Sequence, residues 1–63
     1  MMFITLHSQF TEPFLVNVEH IIKCVPREKG TDVYLAHSPV ITVTETIEDI
    51  TKLFREAYIY VKK

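Results

Sequence analysis

Few side chains in this sequence have the means to do chemistry: His7, His20, His37, Cys24 and a group of carboxylates at Glu45, Glu48 and Asp49. His20-x-x-x-Cys24 is the one close pairing of metal-ligand types. On a helix that spacing would turn both donors to one face, but the residues around it read as strand, and no second pair lies nearby to complete a tetrahedral site. A nucleophile built on Cys24 would further require oxyanion donors and a substrate cleft. A chain of 63 residues with one glycine offers neither. The expectation is no catalytic residue, no metal and no cofactor, with Cys24 acting as a small hydrophobe. The three carboxylates fall where a helix begins, so they read as partners of the helix dipole rather than as an acid/base cluster.

The elements that position these residues belong to a small chain. At 48% hydrophobic, residues 1–63 hold about thirty apolar side chains, enough for one core and one domain. Lys and Arg total 7 against 8 for Asp and Glu, a net charge of -1. The positive field that neutralises a phosphate backbone is missing, which disfavours non-specific nucleic-acid binding. One cysteine allows no internal disulfide. The apolar runs are short of a membrane span, and Met-Met-Phe-Ile-Thr-Leu-His lacks the basic stretch of a targeting peptide, so a cytoplasmic protein is expected.

Alternation with a period of two places strands at Met2–His7, with Ile4 and Leu6 inward, and at Pro13–Val18, with Phe14, Val16 and Val18 inward. A third strand over Ile21–Pro26 turns Ile22 and Cys24 to the core and ends at Pro26, which cannot donate to a ladder. Arg27-Glu28-Lys29-Gly30 reads as a hairpin loop, with Gly30 supplying a positive φ. Strand four is Thr31–His37, with Val33 and Leu35 inward, and Ser38-Pro39 turns the chain. Strand five is Val40–Glu45, with Ile41 and Val43 inward. The period then changes to 3.6: Ile47, Ile50, Phe54, Ala57, Tyr58 and Val61 line one stripe of a helix with Thr46 as N-cap. Strand-prone Tyr58-Ile59-Tyr60-Val61 predicts that this helix ends near Tyr58. The fold class is α+β: a curved five-stranded antiparallel meander, open or closed into a small barrel, with one C-terminal amphipathic helix across a face.

Two surfaces are candidates for contact. One is the basic patch Lys23, Arg27 and Lys29 around the hairpin tip; the other is Ile59 and Tyr60, off the buried stripe. Strands one and five, rich in Ile, Val and Thr and without Lys or Arg, are the expected sheet edges, and pairing through them predicts a homodimer unless they pair with each other.

From Phe14 to Ile50 the chain resembles the FlbD (SwrD) family of small flagellar accessory proteins. The matching pieces are Phe14-Leu15-Val16-Asn17 with Ile21-Ile22, then Thr31-Asp32-Val33-Tyr34-Leu35, then Val43-Thr44-Glu45-Thr46-Ile47-Glu48-Asp49-Ile50. They fall on a Phe-x-Leu-Asn strand, a Thr-x-Ile-x-Leu strand and a Val-x-Glu-Ser entry into an acidic helix. The departures are in loops: Ser8-Gln9-Phe10-Thr11 replaces an Asn-Gly turn, and His37-Ser38-Pro39 stands where a glycine turn is typical. The resemblance implies structural roles for Asn17 and Glu45, the latter accepting free backbone N–H groups at the strand-to-helix corner. It also implies a non-catalytic accessory protein that binds another protein. The other readings are a weak nucleic-acid module using the basic hairpin tip, and a phage-encoded protein that binds a host factor.

Overall fold

The computed structural model describes residues 2–10 and 12–62, with side chains through residue 58. Strand β1 (Phe3–His7) pairs antiparallel with β2 (Pro13–Asn17), and after a 3-10 turn at Val18–His20 a second antiparallel sheet follows, β3 (Ile21–Arg27), β4 (Gly30–Leu35) and β5 (Ile41–Val43). Helix α1 (Ile47–Lys62) ends the described chain and lies against β1 and β3. The class is α+β.

The strands form two small sheets, with β2 and β3 unpaired at the point where a continuous meander would join them. The break has a local cause. Asn17 accepts the Glu19 N–H on Oδ1 at 3.0 Å, and the Val18 N–H bonds the Met2 carbonyl at 2.9 Å, so the chain coils into the 3-10 turn before β3 begins. Strands β1 and β5 each end a sheet, as expected, but the split makes β2 and β3 edges as well. Strands β1 and β5 meet at one end, through a bridge between Ser8 and Val43 and a 2.8 Å bond from the Thr44 N–H to the His7 carbonyl. One bridge does not close a barrel.

Ile4, Leu6, Val16, Val33, Val43 and Ile50 form the buried core, flanked by the partly buried Phe14, Val18, Leu35, Ile41 and Phe54. Alternation placed the strand residues among these and the helical period placed Ile50 and Phe54, while Val18, expected in strand two, packs from the 3-10 turn. Ile22 is the exception, at 67% exposed. The β3–β4 register shifts between Ile21 and Lys23, and this irregularity inserts a residue that moves Ile21 and Cys24, three positions apart, onto the inward face. Strand β3 also runs one residue past Pro26. Pro26 stands opposite Thr31 at a ladder position turned away from β4, where no N–H is required. Strand β4 stops at Leu35, because His37 takes a positive φ of 62° and turns the chain toward β5.

The Arg27–Gly30 pairing leaves a two-residue tip, Glu28-Lys29, shorter than the expected loop. Gly30 has φ 105°, and a β-carbon there would meet the Val43 carbonyl oxygen at 2.0 Å. It therefore serves both the turn and the close passage of β4 beside β5. At the helix start Thr46 accepts the Asp49 N–H at 3.1 Å, and Asp49 accepts the Thr46 N–H at 3.3 Å, a reciprocal cap. Ile50, Leu53, Phe54 and Ala57 face the core, whereas Tyr58, expected on that stripe, is 52% exposed. The helix also continues through the strand-prone residues to Lys62.

Candidate functional site

The densest polar arrangement lies at the β5-to-α1 corner. Strand β5 ends at Val43, so the edge of β1 loses its neighbour just where His7 needs a backbone acceptor. The Glu45 carboxylate fills that place. Its Oε1 accepts the His7 N–H at 3.0 Å, and its Oε2 lies 2.6 Å from His7 Nδ1. The Glu45 carbonyl in turn accepts the hydroxyl of fully buried Thr31 at 2.8 Å. One residue thus joins β1, β4 and the approach to α1, and no buried side-chain N or O atom among the described residues is left unsatisfied. The resemblance placed Glu45 at this corner in a structural role. The backbone group that it takes is that of His7 rather than the free N–H groups of the helix, which Thr46 and Asp49 serve.

Burial by itself would raise the Glu45 carboxyl, but the hydrogen bonds from the His7 ring and N–H outweigh it and hold the group below its ordinary value of 4.5. A carboxyl depressed in the folded state stabilises the fold above its unfolded pKa and loses that contribution as pH falls through the folded value. Glu45→Gln is therefore expected to cost about 1–3 kcal/mol at neutral pH. It should also flatten the loss of melting temperature that the wild type shows between about pH 5 and pH 3. Thermal melts of both proteins across that range check this; parallel curves would contradict it.

A His–carboxylate pair can orient an imidazole for general-base work. Here, among the described residues, no hydroxyl or thiol is bonded to the ring, so the geometry is that of a clasp. His20 is exposed at the end of the 3-10 turn while Cys24 packs against the core, so the spacing that links them in sequence gives no shared site. Burial raises the Cys24 thiol, which makes it a poorer nucleophile. His37 is exposed at the β4–β5 turn. No group of three His, Cys, Asp or Glu residues among the described residues could hold a metal.

A second polar cluster covers the outward face of the three-stranded sheet. Asp32 accepts Arg27 Nε and the Thr42 hydroxyl, both at 2.7 Å, and the Lys23 ammonium sits 4.7 Å from the centre of the Tyr34 ring. The Thr42 bond, then the Arg27 bond, holds Asp32 below the ordinary carboxylate range. Of the basic patch, Lys23 and Arg27 are exposed on β3 with these partners, and Lys29 stands at the hairpin tip. Asn17 caps the 3-10 turn. The side chains of Ile59 and Tyr60 lie outside the described residues.

The sequence did not show the pairing of His7 with Glu45, nor the cluster of Asp32, Tyr34 and Thr42. For His7 no local signal exists, because its partner is 38 residues away. Tyr34 and Asp32 could have been found from their outward register beside Lys23 and Arg27.

Compared with protein families, with curated proteins and with solved structures, the chain matches none. No described helix is long and apolar enough to cross a membrane.

Proposed function

We propose that the chain is a non-catalytic adaptor that works by binding another protein, in the manner of the FlbD (SwrD) family that it resembles. The observation that carries this reading is the division of its side chains. The groups with chemistry, His7, Glu45, Asp32 and Arg27, are spent on one another, while large apolar side chains such as Phe3, Leu15 and Ile22 are left on the surface. Two details support the family resemblance. Glu45 stands at the strand-to-helix corner, and positive φ falls at His37, where that family carries a glycine turn. The partner is a protein of the flagellar apparatus or, for a phage-encoded chain, of the host, met in the cytoplasm.

The nucleic-acid reading has one observation in its favour. Lys23 and Arg27 flank the Tyr34 ring on an open sheet face, as in modules that stack bases on aromatics. Against it, Asp32 already neutralises Arg27. Salt separates the two. Capture of a protein partner from extract should survive nuclease and barely respond to moderate salt, whereas a nucleic-acid complex should weaken steeply. Loss of all capture on nuclease treatment would reverse the assignment.

A further inference from the structure

The prolines fix which backbone groups of each hairpin face outward. Pro13 stands opposite His7 and has no N–H, so that pair cannot exchange hydrogen bonds; by alternation the bonded pairs are Ile4 with Val16 and Leu6 with Phe14. The flanking bonds agree, running from the Ser8 N–H to Glu12 at 3.2 Å and from the Val18 N–H to Met2 at 2.9 Å. The amides of Leu15 and Asn17 and the carbonyls of Pro13 and Leu15 are therefore turned away from β1, along the open edge of β2. That edge borders a cleft of about 270 Å³, walled by Leu15, Asn17, His20, Ala36, Ser38 and Ile41, with no charged side chain in its lining. The open edge of β3 is different. Pro26 removes a donor from it, the irregularity at Ile22 distorts it, and Lys23 and Arg27 flank it.

We infer that the β2 edge pairs with the β2 edge of a second copy of this chain, antiparallel about a two-fold axis at Leu15. The occupant follows from self-complementarity. Leu15 exchanges two hydrogen bonds with Leu15 of the second copy, and each Asn17 N–H meets the Pro13 carbonyl opposite, so the missing proline donor leaves four bonds intact. Residues 13–17 carry no charge, so nothing repels across the axis. Leu15, 68% exposed in the single chain, lies beside its mate. The two-stranded β1–β2 sheet, a marginal unit by itself, becomes four-stranded. This inference goes beyond the adaptor reading and does not rest on it.

Light scattering from micromolar to millimolar concentration tests it. The mass should rise from 7.4 kDa toward twice that value. Leu15→Pro removes only the outward N–H, so this variant should hold the monomer mass with wild-type far-UV dichroism, and Leu15→Lys should do the same. Ile22→Lys, exposed elsewhere, should still dimerise. If Leu15→Pro fails to fold, amide exchange of the wild type decides, with the Leu15 and Asn17 N–H groups expected to slow as concentration rises. A wild type that stays monomeric throughout, or a dimer indifferent to Leu15→Pro and Leu15→Lys, would overturn the inference, and neither result bears on capture of a different protein.

Discussion

Gly30→Ala is expected to remove most of the stability of the fold. The added methyl would stand 2.0 Å from the Val43 carbonyl oxygen and 3.1 Å from its carbon, at a φ of 105° that side chains rarely adopt. Backbone cannot yield there as a flexible side chain would. Val43 is fully buried, pairs with Thr31 and forms the bridge to Ser8, so moving it disturbs both sheets at once. Positive-φ strain of about 1–3 kcal/mol and overpacking of about 1–3 kcal/mol act together. A chain of this length has a total stability of about 3–9 kcal/mol. The melting temperature of the variant, followed by far-UV dichroism, should therefore fall by tens of degrees, and a cooperative melt within a few degrees of the wild type would show that β4 does not pass Val43 this closely.

The second large effect is expected at Ile50, which is 2% exposed and belongs to the same buried cluster as Leu6 and Val43. Ile50→Ala should cost about 2–5 kcal/mol in urea denaturation, because the cavity opens where α1 meets the sheets. Phe54, marked by the helical stripe as an equal anchor, is only partly buried. Its truncation should cost less despite the larger side chain. If Phe54→Ala proves the more damaging, the helix is rotated relative to its described docking.

These cases show why some parts of the fold could be read in the residues and others could not. The inward faces of β1, β2, β4 and β5 follow from alternation, and the Thr46 cap follows from residue type at a change of period, both of them local signals. Ile22 was misplaced because one irregular residue reverses the facing of what precedes it, and nothing in Ile21-Ile22-Lys23 marks that shift. The split between β2 and β3 depends on a side-chain bond from Asn17 into the following turn. Gly30 was read as a turn residue, but its close approach to Val43 is a matter of tertiary distance. The His7–Glu45 clasp was hidden for the same reason: each partner has a complete local explanation without the other. The further edges, at β2 and β3, were not legible because they arise from the same split between the sheets.

Under the proposed function the corner polar residues hold the fold while binding belongs to other surfaces. The most direct test compares partner capture from cell extract by the wild type and by Glu45→Gln, at a temperature where melts show both to be folded. The expected result is the same captured partner, in the same amount, from a protein with a lower melting temperature. A Glu45→Gln protein that melts like the wild type yet no longer captures the partner would contradict it and make Glu45 a contact residue.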